Sequence, residues 1–305
     1  MKILNFGSLN LDYVYQVDHF VRPGETMSAF SQTINPGGKG LNQSIALARA
    51  GVKVCHAGCL GTGGENLAKL LKENDVDTKY LRGVSELQGN AVIQVDSKGE
   101  NCIILFGGSN QCVTREQIEE TFWDFGPGDY LILQNEVNAL PEIVEEAFHR
   151  GMLIFLNPSP CNEKIKAIDL GHISYLLVNE VEMEQLTGQK DPEAAWEVLH
   201  AAYPQLSLLV TLGEEGSMLF HEVGKSDLCG EGGSDMSECI RQEAFPVKAV
   251  DTTAAGDTYT GYFIASLSQG LPLKECMRRA SQASAICVTR PGAAPSIPYR
   301  EEIIL

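Results

Sequence analysis

The sequence predicts an α/β domain with a mostly parallel central sheet and a small additional β-sheet. Three observations carry this expectation. Short, near-continuous apolar runs recur (YLILQ 130–134, MLIFLN 152–157, YLLVN 175–179, LSLLVTLG 206–213), as strands covered on both faces require. Helical patterns alternate with them: REQIEETFWDF, PEIVEEAFHRG, EMEQLTG and PEAAWEVLHAAY. Two hairpin patterns in the first third are less apolar and stand outside that alternation.

Size and composition fit one large domain. The chain has 305 residues, of which 44% are hydrophobic. Its net charge of −17 and lack of a basic stripe argue against nucleic acid as a partner. No apolar run approaches the roughly 20 residues a bilayer demands, so no membrane association is expected. MKILNFGSLN enters a strand directly, which is unlike a signal peptide. Nine cysteines (55, 59, 102, 112, 161, 229, 239, 276 and 287) form no Cys-x-x-Cys pair. They read as small apolar residues of a reducing, cytoplasmic compartment.

In chain order, Ile3–Phe6 is a short buried strand ending at Gly7-Ser8, and Asn10 and Asp12 fall where it would hand over to a ligand-side loop. Strands are expected at 13–17 and 27–34, joined by the turn Arg22-Pro23-Gly24-Glu25. A Gly-rich start, Asn35-Pro36-Gly37-Gly38-Lys39-Gly40, opens a helix over 41–50. A strand at 52–57 precedes a loop and helix over 58–76. The runs 88–95 and 101–106 form a second hairpin around Ser97-Lys98-Gly99-Glu100, expected to join the first in a four-strand patch. The Gly/Ser/acid-rich stretch 223–242 reads as an exposed loop.

The chemistry concentrates in FPVKAVDTTAAGDTYTGYFIASLSQG, 245–270. Alternating Phe245, Val247 and Ala249 suggest a half-buried strand, and Tyr259, Tyr262, Phe263 and Leu267 lie on one stripe of the following helix. Between them, Ala254-Ala255-Gly256 would bring a ligand close to bare amides at a helix start, a setting for an anion. Asp257 beside that setting suits a base that deprotonates a hydroxyl attacking a phosphate. The plainer reading is that Asp257 caps the helix. GGKG is a second helix-start signal, but Gly40 follows Lys39 where a Walker loop needs Ser or Thr. A Gly-rich start made only for tight packing is its alternative. Asn42 lies one turn in, within reach of the same ligand.

Together, GSLNLD (7–12), GGKGLNQ (37–43), VNEVE (178–182), TLGEEG (211–216), DTTAAGD (251–257) and VTRPGAAPS (288–296) resemble the motifs of the ribokinase/PfkB family of sugar kinases, in the family's order and over essentially the whole chain. The resemblance implies a three-layer α/β/α domain spanning 1–305, with a discontinuous β lid at 12–35 and 88–108 that clasps a second subunit into a homodimer. It implies that Asn10, Asp12, Gly38, Lys39, Asn42 and Glu136 hold sugar hydroxyls and that Asp257 is the base. The amides of Ala254, Ala255 and Gly256 would form the anion hole. Asn179, Thr211, Gly213, Glu214, Gly216, Gly256 and Ser281 would flank ATP. Glu182 would belong to the Mg²⁺–water region. Asp251, Thr253, Cys287, Arg290, Gly292 and Ser296 would surround a monovalent cation, K⁺, mostly through backbone carbonyls.

The implied reaction is ATP-dependent phosphorylation of D-ribose to ribose 5-phosphate. Alternatives are the same chemistry on 2-deoxyribose, a nucleoside or a phosphorylated ketose, or a non-catalytic sugar or nucleotide sensor. A dinucleotide dehydrogenase is disfavoured, because Gly61, Gly63 and Gly64 are mis-spaced for GxGxxG. Duller roles also exist: Asp12 as a turn acid, Glu136 as exposed loop, Glu182 as a first-turn acid, Thr211 as a strand end, Lys39 as a solvated charge. Leu41, Pro291 and Cys287 depart from the family's usual residues, and the 223–242 stretch is longer than the family pattern leads one to expect.

Overall fold

A computed structural model describes residues 1–222 and 237–304. The first part contains β1 (Ile3–Phe6), β2 (Asn10–Gln16), β3 (Ser31–Gly37), α1 (Lys39–Arg49), β4 (Cys55–Thr62), α2 (Glu65–Glu73), β5 (Asp77–Leu87), β6 (Asn90–Val95) and β7 (Asn101–Phe106). Then follow α3 (Arg115–Phe122), β8 (Tyr130–Gln134), α4 (Leu140–His149), β9 (Leu153–Asn157), β10 (Tyr175–Asn179), α5 (Glu180–Thr187) and α6 (Pro192–Ala202). The last part holds β11 (Ser207–Thr211), β12 (Ser217–Glu222), β13 (Ser237–Gln242), α7 (Ala255–Ser268) and α8 (Leu273–Val288).

The central sheet has nine strands in the order β13-β12-β11-β10-β9-β8-β1-β4-β5. Pairing from β11 through to β5 is parallel, and β12 and β13 add an antiparallel edge. Because side chains alternate along a strand, each apolar run feeds two cores. Leu4, Phe6, Leu131, Leu133, Leu176 and Val178 face one side, with Ile118 and Phe122 of α3 and Ile143 and Val144 of α4. Ile3, Tyr130, Ile132 and Leu177 face the other, against Leu41 and Ile45 of α1 and Tyr259 and Phe263 of α7. Three layers result. On the second face, α1 and α7 cross closely: a Cβ on Gly261 would lie 2.4 Å from the Ala46 Cβ. That contact requires glycine, and it brings the amino-terminal turns of the two helices together.

The two hairpins form a separate sheet, β3-β2-β6-β7, in which β2 and β6 pair in parallel and join them. The first hairpin differs from expectation in position. Its strands are 10–16 and 31–37, so Asn10 and Asp12 lie on β2 itself, opposite Gly37 and Asn35, rather than in a loop.

Three further expectations fail. Residues 58–62 continue β4, and 77–87 form β5, an edge strand whose register shifts twice against β4 and whose charges obscure any alternation. The 245–249 strand is absent: Pro246 has no N–H to give, Val247 is 48% exposed, and the backbone instead meets the end of α8 through Val250 N–H and Val288 O (2.7 Å). Of the 223–242 loop, 237–242 is β13; residues 223–236, with Cys229, lie outside the described residues. The α7 stripe is also broader than expected, since every residue from Asp257 to Ser266 is buried.

Candidate active site

The carboxyl ends of β10 and β11 and the start of α7 enclose a cavity of about 220 Å³. Lys39, Asn179, Glu182, Thr211, Ala254, Ala255, Gly256 and Asp257 all line it, as do Asn157 and Thr252, which motif reasoning missed. Asn157 Nδ2 donates to Leu177 O (2.9 Å). Its only sequence signal was a polar residue closing an apolar strand.

Ala254 is the N-cap of α7 in left-handed conformation (φ 61). An alanine held there is strained, which marks a geometry the surroundings impose. The first turn of a helix leaves its N–H groups without intrahelical partners. Of these, Ala255 N–H reaches Thr252 O (3.2 Å), while Gly256 and Asp257 N–H make no hydrogen bond among the described residues. Asp257 is only 8% exposed and sits at the third helical position, so it is no N-cap. Asn42 Nδ2 donates to its Oδ2 and Gln43 Nε2 to its Oδ1, both at 2.9 Å. Asn42 Oδ1 is buried without a hydrogen-bond partner among the described residues.

A second group of polar residues lies beside Lys39, at the root of the small sheet. Gly38 caps α1 with φ 96, and the Lys39 N–H donates to Glu136 Oε2 (3.0 Å). Ser8 Oγ also donates to that oxygen, a partner the sequence reading missed. Burial raises the Glu136 carboxyl above its ordinary value, against the pull of Lys39 and these hydrogen bonds. Burial and the Glu136 charge likewise push Asp12 up to about 7. Burial pulls the Lys39 ammonium down, but the charges of Asp257, Glu136 and Glu182 outweigh it and hold Lys39 above its usual value. Asn10 is fixed from behind: Asn110 Nδ2 donates to its Oδ1 (2.7 Å).

Asn179 and Glu182 form a capping box at the start of α5, with Glu182 N–H donating to Asn179 Oδ1 (2.8 Å) and Asn179 N–H to Glu182 Oε2 (3.1 Å). Glu182 therefore has a structural task, and its Oε1 remains for another. Among the described residues no three acids, histidines or cysteines gather as a metal site. Any divalent ion near Glu182 would depend on water and phosphate oxygens, which suits Mg²⁺.

The remaining candidates spread around the rim. Gly213 and Glu214 lie in a 3-10 turn, Gly216 follows at φ 101, and none of them lines the cavity; Ser281, on α8, donates from Oγ to Glu243 O (3.4 Å) just past β13. Asp251 ties two loops together. Its Oδ1 accepts from Thr253 N–H (2.9 Å) and Oγ1 (2.6 Å), and its Oδ2 from Gly292 N–H (2.8 Å). These bonds outweigh burial and lower its carboxyl. Nearby, Cys287 Sγ lies 3.0 Å from Ser296 Oγ and 3.7 Å from Thr253 O, and the Arg290 side chain is paired with Glu302. Among the described residues Thr253 O has only that weak thiol contact, which leaves a carbonyl oxygen of the kind a monovalent cation would need.

A buried carboxylate between amide donors, open helix-start amides and a neighbouring array of acids and amides are features that an α/β phosphotransferase acting on a hydroxyl would need. The sequence profile of the pfkB family carbohydrate kinases matches residues 1–300, and the chain belongs to that family. A ribokinase of Haemophilus influenzae is 32% identical, the match covering 98% of this chain and 95% of that one. Among solved structures, ribokinase from Cryptococcus neoformans in complex with ADP aligns with a TM-score of 0.84 at 31% identity, covering 99% and 98% of the two chains. Arabidopsis thaliana ribokinase complexed with ribose and ATP aligns at 0.82 with 28% identity, covering 99% and 97%.

Proposed function

We propose that this carbohydrate kinase transfers the γ-phosphoryl group of ATP to the primary hydroxyl of D-ribose, giving ribose 5-phosphate. The observation that supports it most is Asp257 in the cavity wall, next to the Gly256 N–H, which has no partner among the described residues, and bonded to Asn42. The comparisons support ribose and ATP as substrates, since relatives of matching length carry the ribokinase name and one is complexed with both.

In this reading Asn10, Asp12, Gly38, Lys39, Asn42 and Glu136 hold the sugar. Acids accept from its hydroxyls while amides and Lys39 donate. The Oδ1 of Asn42 is an acceptor with no other partner among the described residues. Asp257 takes the proton of the attacking hydroxyl as the new O–P bond forms and ADP leaves, a contribution of about 10²–10⁴-fold. The amides of Ala254–Gly256 stabilise the charge on the moving phosphoryl group, with Gly256 the freest. Asn179, Thr211, Gly213, Glu214, Gly216 and Ser281 flank the nucleotide. Bound Mg²⁺, held through Glu182 and water, would neutralise phosphate charge. K⁺ would sit on the loops of Asp251, Thr253, Cys287, Arg290, Gly292 and Ser296.

The sheet over 12–35 and 88–108 acts as a lid on the single 1–305 domain. On one face it exposes Ile34, Ile104 and Phe106, each about half exposed or more, and on the other Ile103 and Leu105, apolar surface suited to a second subunit. Light scattering giving the mass of one chain would remove the dimer. The function is tested by ATP consumption over a panel of ribose, 2-deoxyribose, nucleosides and phosphoketoses, in a cytoplasm-like K⁺ buffer. The highest kcat/KM is expected for ribose; a higher value for another acceptor reassigns the substrate.

A further inference from the structure

Beneath the base lies a chain of buried amides that the sugar-kinase mechanism does not use. Gln43, Gln134 and Asn5 are 1%, 0% and 0% exposed. Gln134 Nε2 donates to Gln43 Oε1 (2.7 Å) and to Asn5 Oδ1 (2.9 Å). Asn5 Nδ2 donates to Gly40 O and Ser44 Oγ, both at 2.8 Å. Gln43 Nε2 then donates to Asp257 Oδ1.

The sense of every bond in this chain is determined. Both donors of Asn5 are committed, so its Oδ1 must accept from Gln134. Gln134 then presents its NH₂ to Gln43, and Gln43 can accept there only through oxygen. Its NH₂ is thereby turned toward Asp257. Flipping the Gln43 amide would set oxygen against carboxylate and NH₂ against NH₂. Asn42, the other donor to Asp257, has no such backing, because its Oδ1 is unpartnered among the described residues.

The arrangement also costs stability. Gln134 Oε1 is buried with no partner among the described residues, a penalty that an apolar residue at each of the three positions would avoid. The buried row therefore ends on the base for a reason other than packing. Resting on the assignment of Asp257 as base, we propose that Gln43, oriented by Gln134 and Asn5, is a positioning residue. It holds the Asp257 carboxylate in the rotamer from which it meets the attacking hydroxyl, as the orienting third group does in other nucleophile–base pairs. Gln43 touches no substrate and acts only through Asp257.

The test is a double-mutant cycle read by pre-steady-state and steady-state turnover, with ribose and ATP at saturation. Gln43→Met keeps length and burial but has no donor. Its kcat falls roughly ten- to a hundredfold through misplacement of the base, with both KM values within about threefold of wild type. In an Asp257→Asn background the same change has no further effect, because the group it acts through is gone. Gln134→Met, one residue removed, lowers kcat in the same direction and by less.

Equal losses from Gln43→Met in both backgrounds, or unchanged kcat in the folded single variant, overturn the proposal. So does failure of both Gln43→Met and Gln134→Met to fold, which assigns the amides to stability alone. If instead Asp257→Asn itself keeps full turnover, the base assignment fails, a result distinct from failure of the relay.

Discussion

Gly37→Ala tests the sugar side of the site without touching any polar group. A Cβ on Gly37 would lie 2.0 Å from Asp12 Oδ2, 2.4 Å from its Cγ and 2.6 Å from its Oδ1. No side chain fits there while Asp12 keeps its position. The obstacle is the end of a side chain rather than backbone, so the clash resolves by Asp12 swinging away. Gly37 ends a β-strand and its φ is not positive, so alanine itself is tolerated. The fold should lose no more than about 1 kcal/mol. The sugar loses an ionised hydrogen-bond partner, worth about 1.5–3 kcal/mol. That converts to a rise of roughly 10- to 150-fold in ribose KM, with ATP KM and melting temperature nearly unchanged. The assay is coupled ADP release at pH 8, where Asp12 is ionised. A folded variant with wild-type ribose KM would show that Asp12 does not hold the sugar.

Asp12 also sets a pH dependence. Its carboxyl is raised from 3.8 to about 7 by burial and by Glu136, so the native state keeps a proton that the unfolded chain releases. Stability from this group is full below pH 3.8 and is lost as pH rises through about 7. Asp12→Asn should therefore raise the melting temperature at pH 8 by a few degrees more than at pH 4, read by calorimetry. An equal effect at both pH values contradicts it. In the wild type, ribose kcat/KM should fall as pH drops below about 7, because protonation removes the acceptor. Asp251→Ala releases Thr253 and Gly292 from their shared carboxylate. The K⁺ concentration for half-maximal activity should rise about tenfold; an unchanged K⁺ titration would place the ion elsewhere.

The sequence made some features legible for clear physical reasons. β8, β9, β10 and β11 were readable because a strand buried on both faces is apolar without interruption. The helix starts at Lys39 and Ala255 showed through their small residues. β5 was hidden because an edge strand mixes Lys79 and Arg82 with half-buried positions, leaving no period to find. The run at 245–249 alternated yet found no partner strand, since pairing depends on tertiary neighbours rather than local pattern. Site residues with motifs around them were found. Ser8 and Gln43 stand inside those motifs without a role assigned to them, and Asn110, Gln134 and Asn5 stand outside them, because a buried polar residue reveals its partner only after folding. The clue available was the polar side chain itself: Asn5 inside ILNF and Gln134 closing YLILQ both demand a buried partner.

The most direct measurement is the turnover of Asp257→Asn alongside ribose binding by calorimetry. Its new amide can accept from only one of Asn42 and Gln43, but both helices that frame the site remain. Ribose affinity should stay within several-fold of wild type, and kcat should fall by about 10²–10⁴ at every pH. Near wild-type kcat in a variant that binds ribose normally would contradict the assignment of Asp257 as the group that accepts the hydroxyl proton.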